Sequence, residues 1–333
     1  MKPRGEVLLT LFLVACKVKS QTSSAGDDAG PSDAAPKRPR IEELAIGTGH
    51  FGCARYANGE VACAGGNSLG QLGRGTRSGR AAGDPAVPME PPQRIEGLRD
   101  VVRIVAGSAH ACALTKDGLV HCWGSGMFPN GDLATSPVRM PSIQNARKLF
   151  SGLLDVCAIL EDNTVTCIVA GPIKGVADAK ELAIGQRHGC ALTLDQQVMC
   201  WGTMGGPQGV AQRWPVLKGA RELASNENDV CARVGERVVC VGLHLEKPSE
   251  DIAALHGLAQ LTGNGATQFC GLTSENTLAC WEAVGFGDAG RSLEERVKNV
   301  RTFGVAAAGH CAISNDDRIH CTNLIPREVL ESL

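Results

Sequence analysis

The chain has 333 residues, 20% of them charged and only 4% aromatic, and its 33 Lys and Arg against 35 Asp and Glu leave a formal net charge of −2. So even a balance, with no basic stripe, excludes nucleic acid as an expected partner. The scarcity of aromatics deprives any core of its largest fillers, and fifteen cysteines stand beside that deficit.

At the N-terminus, Lys2 and Arg4 precede an apolar run over residues 7–15 that ends Leu13-Val14-Ala15-Cys16. The run is too short to span a bilayer as a helix. It resembles a bacterial lipoprotein signal, with residues 1–15 as the signal peptide and Cys16 as the lipid acceptor. An ordinary cleaved secretion signal and a buried strand are the alternatives. Lys17 after the cysteine favours the outer membrane, by analogy with proteobacterial sorting. Residues 16–40 are rich in Ser, Ala, Asp and Pro, with almost nothing apolar after Val18. They are expected to form a disordered tether with a typical span of about 25–30 Å. The expected location is therefore the outer membrane or cell surface of a bacterium, with the protein exported and held by lipid.

From residue 41 to 333 the cysteines act as a ruler. They form seven pairs: Cys53 with Cys63, Cys112 with Cys122, Cys157 with Cys167, Cys190 with Cys200, Cys231 with Cys240, Cys270 with Cys280 and Cys311 with Cys321. Only the fifth departs from a spacing of ten. A regular period of this kind marks a repeated structural unit. Six residues after the first cysteine come Gly59, Gly118, Asn163, Gln196, Asn276 and Asp317, mostly types that tolerate positive φ in a short hairpin loop. Each pair therefore spans a β-hairpin. Residues two apart on a strand share a face, so the cysteines share theirs with Leu114 and Val120, Ile159 and Val165, Leu192 and Val198, Leu272 and Leu278, and Ile313 and Ile319. The opposite face carries Ala54, Ala113, Ala158, Ala191, Ala232, Gly271 and Ala312. One bulky and one small face suit a sheet packed between two neighbouring sheets, as in a propeller.

A short apolar run precedes each of the first six hairpins, as in Val101-Val102-Arg103-Ile104 and Leu182-Ala183-Ile184-Gly185. A proline-led segment often follows, such as Pro137-Val138-Arg139, Pro215-Val216-Leu217 and Pro326-Arg327-Glu328-Val329. Proline suits an edge strand, where a missing N–H does no harm. The expected fold is all-β: a single seven-bladed β-propeller of four-stranded antiparallel blades, with one hairpin disulfide in each.

The first copy reads Gly47-Thr48-Gly49-His50-Phe51-Gly52-Cys53 and continues to Gly66-Asn67-Ser68-Leu69-Gly70-Gln71-Leu72-Gly73. It resembles the repeats of the regulator of chromosome condensation, a family of seven-bladed propellers. The resemblance runs from about Ile41 to Val329, although the full glycine-rich loop survives only in copy one and copies three, five and six lack the histidine. Guanine-nucleotide exchange, one activity of that family, requires a cytoplasmic or nuclear partner and does not suit an exported protein.

Export favours disulfides. Facing cysteines at non-hydrogen-bonded sites, with Cα atoms about 4.5 Å apart, suit a bridge, whereas zinc ligands usually lie two to four residues apart. No metal or other cofactor is implied. Gly66-Asn67-Ser68-Leu69-Gly70 matches a nucleophile-elbow pattern, yet the context lacks the strand-to-helix turn such an elbow needs, and no enzyme is expected. His50, His110, His188 and His310 recur near the first cysteine and are expected to bond their own loop backbone, with the loop at His310 built differently. The candidate binding residues lie in the loops between first and second strands: Leu153, Leu154 and Asp155, then Gln186 and Arg187, then Asn226, Glu227, Asn228 and Asp229. The leading reading is a monomeric, surface-anchored binding module for a protein or a cell-surface glycan. The alternative is an inhibitor or regulator of a secreted enzyme, and the third is an unrecognised exported hydrolase.

Overall fold

The computed structural model describes residues 39–78, 88–128, 131–204, 209–242, 250–263, 268–282, 291–293, 297–306 and 309–322. The signal segment, Cys16, most of the tether and the Pro326 segment lie outside these residues. No helix among them is long and apolar enough to cross a membrane.

Seven antiparallel sheets succeed one another along the chain as blades, six of four strands and a last one with three among the described residues. Blade 2 is built from Val101–Ala106, His110–Thr115, Val120–Ser125 and Leu133–Arg139, each strand paired to the next in chain order. The inner strands, Ile41–Gly47, Val101–Ala106, Ala146–Ser151, Ala179–Ile184, Glu222–Ser225, Leu258–Gly263 and Val300–Ala306, all line one axial channel. The run ahead of each hairpin is therefore innermost.

The hairpins carry the expected backbone. Gly59, Gly118, Asn163, Gln196, Asn276 and Asp317 all have positive φ, between 55° and 78°, and every cysteine pair is in direct register across its strands. The bridges run from Cys53 to Cys63, Cys112 to Cys122, Cys157 to Cys167, Cys190 to Cys200, Cys231 to Cys240, Cys270 to Cys280 and Cys311 to Cys321. Their Cα atoms lie 3.9–4.1 Å apart, somewhat closer than the expected separation. Cys63, Cys200 and Cys240 are buried with their partners, whereas Cys321, on the outermost described strand of blade 7, is half-buried. Proline behaves as expected in blade 2, where Pro137 sits in the outermost strand. In blade 4 it does not: Pro215–Leu217 is a turn of 3-10 helix, and the outer strand is Gln212–Arg213 before it. The fixed φ of proline suits the first helical position as well as an edge.

The core is a series of seams between blades rather than one central mass. The cysteine face of each blade meets the alanine face of the next, as where Cys112, Leu114, Val120 and Cys122 pack on Val156 and Ala158. The residue after the second cysteine thickens some seams: Trp201 fills the one between blades 3 and 4. Burying a single large aliphatic side chain contributes about 1.5–3 kcal/mol, and Ile104, Leu114, Leu149, Ile159 and Leu192 are all fully enclosed. Ring closure follows the same rule, with Cys311 and Ile313 of blade 7 against Leu44, Ile46 and Ala54 of blade 1. Arg301 reinforces it by donating from Nη2 to the Ile41 carbonyl at 3.0 Å.

Candidate interaction face

Each inner strand runs from the face of the hairpin turns to the opposite face, where the chain loops back into the second strand. Ala57, in the first hairpin turn, donates its N–H to the Arg40 carbonyl at 2.8 Å. The chain therefore enters the propeller on the turn face. The loops between first and second strands lie on the far face, and their backbones bond from blade to blade: Thr48 N to Gly107 O at 3.2 Å, Ser108 N to Leu153 O at 3.0 Å and Gln186 N to Glu227 O at 3.0 Å. Glycine is required where the loop turns so tightly. A Cβ on Gly185 would lie 2.1 Å from the ring of His188, and one on Gly107 would lie 2.3 Å from the ring of His110.

Those two histidines are buried, and their partners are not in their own loops. His110 Nε2 lies 3.3 Å from Ser151 Oγ, and His188 Nε2 lies 2.9 Å from Ser225 Oγ. Each serine is the last residue of the next blade's inner strand. Ser151 Oγ donates to the Gly152 carbonyl, and Ser225 Oγ faces the carbonyls of Asn226 and Asp229. A hydroxyl has one proton to give, so each serine accepts from a neutral imidazole protonated at Nε2. Burial holds the pKa of both histidines down at about 4. The expectation of bonds to their own loop backbone is thus corrected: these histidines fasten one blade to the next. His50 lies one residue out of their register, exposed and at φ 59°, while Phe51 occupies the equivalent place.

The loop residues singled out from the sequence divide into two sets. Leu153, Asn226 and Asp229 are buried, and Asp155 is spent on backbone: its Oδ1 accepts from Val156 N at 2.7 Å and Val169 N at 2.9 Å, and its Oδ2 from Ala170 N at 3.0 Å. Desolvation nevertheless raises the Asp155 pKa above the ordinary carboxylate value. The Asn226 amide donates to Asp229 Oδ2 at 3.1 Å while its Oδ1 accepts the N–H groups of Asn228 and Asp229. For these four the loop position has a packing or hydrogen-bonding demand of its own. Leu154 and Arg187 are exposed, and Gln186, Glu227 and Asn228 are half-buried. Val169 belongs with Leu154: at 58% exposure it sits in the tight connection capped by Asp155. Its signal was the pair Ile168-Val169 directly after Cys167, where blades 2 and 4 place Trp-Gly.

The glycine-rich loop of blade 1 is a clasp. Trp123 Nε1 donates to the Gln71 carbonyl at 2.9 Å, Gly75 N to the Thr135 carbonyl at 2.7 Å and Leu72 N to Asn67 Oδ1 at 3.3 Å. Ser68 lies in a turn with no helix after it.

The axial channel encloses about 470 Å³, and several of its charges are engaged. Glu43 accepts from Arg55 and Arg103 and from Ile104 N at 3.0 Å, and Glu181 accepts from Leu223 N at 3.1 Å. The contacts to Arg103, Ile104 N and Leu223 N run from blade to blade, whereas Arg55 belongs to blade 1 itself. Two groups of metal-capable atoms occur among the described residues, one of Cys270, Cys280 and His310 and one of Asp155, Cys157 and Cys167. In both, the sulfurs are joined to each other.

Residues 101–126, the inner strand and hairpin of blade 2, match the Regulator of chromosome condensation (RCC1) repeat. The chain is similar to the secretion-regulating guanine nucleotide exchange factor of Bos taurus, 33% identical over 159 residues that cover 45% of this chain and 30% of that one. It is also similar to the E3 ubiquitin-protein ligase HERC2 of Homo sapiens, 32% identical over 185 residues, 54% of this chain and 3% of that one. The chain thus spans less than a third of the length of these relatives. Among solved structures, Prp20p from Saccharomyces cerevisiae shares the fold at a TM-score of 0.61 and 16% identity, over 82% of this chain and 83% of that one.

Proposed function

Because the chain belongs to the regulator of chromosome condensation repeat family, we propose that it is a protein-interaction module, anchored outside the cytoplasm through lipid at Cys16, that binds through the face of its first-to-second-strand loops and has no catalytic activity of its own. The observation that carries this reading is the contrast within those loops. Their inward members, among them Leu153, Asp155, Asn226 and Asp229, are committed to the scaffold, while Leu154, Arg187 and Glu227 ride on it with apolar, basic and acidic groups, and Val169 joins them from the third-to-fourth-strand connection of blade 3. A rigid face with variable tips is a common platform for recognition. The Saccharomyces cerevisiae propeller Prp20p binds the protein partners Gsp1p and histones, and a protein partner is the class proposed here.

The test is a crosslinking pull-down from intact source cells with the native chain and a Leu154→Ala, Arg187→Ala, Glu227→Ala variant. A partner recovered with the native chain is expected to be lost at least tenfold with the variant, while its melting temperature stays within about 2 °C, because surface substitutions away from buried features are usually worth under about 0.5 kcal/mol. Retained binding would move the site to the turn face or the rim. A one-to-one complex with a secreted hydrolase would recast the protein as an inhibitor.

Anchoring has its own test. Cys16→Ala is expected to shift the protein from the membrane fraction to the soluble exported fraction, and unchanged partitioning would remove lipid from the proposal.

A further inference from the structure

His310 breaks register in the opposite direction from His50 and faces a different chemistry. His310 directly precedes Cys311, so it projects from the opposite face of its strand, the face that blade 7 turns towards the disulfide of blade 6. Its Nδ1 lies 3.6 Å from Cys280 Sγ, and ligand atoms of Cys270, Cys280 and His310 all lie within 4.8 Å of one another. All three side chains are at most 2% exposed. We propose that these residues form a redox-gated site for one soft divalent metal ion of the zinc class, closed while the bridge between Cys270 and Cys280 stands and available once it is reduced.

The distances fit that ion. With Zn–S of about 2.3 Å and Zn–N of about 2.0–2.1 Å, a tetrahedral centre has a sulfur–nitrogen edge of about 3.6 Å and a sulfur–sulfur edge of about 3.8 Å. The first edge is already present between Cys280 and His310. The second requires only that the sulfurs part from bonding distance, on strands whose Cα atoms are 4.0 Å apart. Thr322 Oγ1 accepts the His310 backbone N–H at 3.0 Å and lies 3.5 Å from the same Nδ1, and the fourth position is assigned to a water.

The chemistry balances. A dithiol reductant supplies two electrons and two protons, is itself oxidised to a disulfide, and leaves Cys270 and Cys280 as thiols. Metal binding releases both thiol protons to solvent. Two thiolates then neutralise the dication, and the imidazole contributes a lone pair without charge, so the enclosed site carries no net charge to penalise its burial. Asp155 with Cys157 and Cys167 is not an equivalent site, because both Asp155 oxygens already accept backbone N–H groups.

The experiment reduces the full chain with graded dithiothreitol, follows folding by circular dichroism, maps open thiols by alkylation, and after removal of the reductant under anaerobic conditions titrates Co2+ and Zn2+ into the most reduced sample that keeps its fold. The expected result is an opened pair at Cys270 and Cys280, one equivalent of Co2+ with thiolate-to-metal charge-transfer absorption, and zinc protection of those two thiols from alkylation. His310→Gln should weaken binding about tenfold or more, whereas Cys157→Ala with Cys167→Ala should leave it unchanged. The proposal is overturned if the folded, reduced chain binds no Co2+ through thiolate, if His310→Gln binds within twofold of the native chain, or if the pair opens only as the propeller unfolds.

Discussion

Replacing Cys112 and Cys122 together by alanine is expected to lower stability by about 3 kcal/mol. The pair closes a loop with a sequence separation of ten, and chain-entropy reasoning assigns a clip of that size about 2.5–3 kcal/mol. Both residues are fully buried in the seam between blades 2 and 3, so truncation of two sulfurs adds a packing loss to the lost constraint. For a propeller of about 290 residues, with an unfolding entropy of about 0.6 kcal/mol/K, the melting temperature should fall by about 5 °C. The effect should recur at Cys157 with Cys167, whose geometry and burial are the same in kind. A change below about 1 kcal/mol in urea titration at both pairs would mean that the clips do not carry the stability assigned to them. Low aromatic content makes that assignment matter, because few large rings are present to fill the seams.

Acidification should weaken the protein well before its ordinary carboxylates titrate. His110 and His188 are neutral in the fold, with pKa values held at about 4 by burial, against 6.5 for the free side chain. Between those values the unfolded chain binds protons that the folded chain refuses, so stability is full above pH 6.5 and falls as the pH drops towards 4. By pH 4 the loss approaches about 3 kcal/mol for each histidine. Asp155 and Glu181 act in the opposite sense, since burial raises their pKa values, and acid relieves the cost of keeping them ionised. The comparison is therefore made against a His110→Gln, His188→Gln variant, whose neutral amide donors can still reach Ser151 and Ser225. In urea titrations at about pH 7 and about pH 4.5 the native chain should lose several kcal/mol more than the variant. Equal losses would show that the histidines are not the acid-sensitive joints.

Much of this architecture is local and therefore legible in the chain. A ten-residue spacing, a residue tolerant of positive φ six positions after the first cysteine, and alternation of bulky and small side chains are consequences of strand periodicity and hairpin geometry alone. They determined the hairpins, the register of every cysteine pair and the seven-fold repeat. Which face meets which neighbour was also readable, because only a small face can accept a bulky one. Partners supplied by the next blade were not readable in the same way. Ser151 lies 41 residues beyond His110, Ser225 lies 37 beyond His188, and Cys280 lies 30 before His310, separations set by how long each blade's outer connection happens to be. The same limit explains Asp155, Asn226 and Asp229, which look like free loop tips in sequence but lie where the fold must satisfy backbone N–H groups and neighbouring polar atoms. Hairpin structure was thus determined by the chain's own covalent period, whereas the roles of its polar side chains were decided only when closing the ring placed each blade against the next.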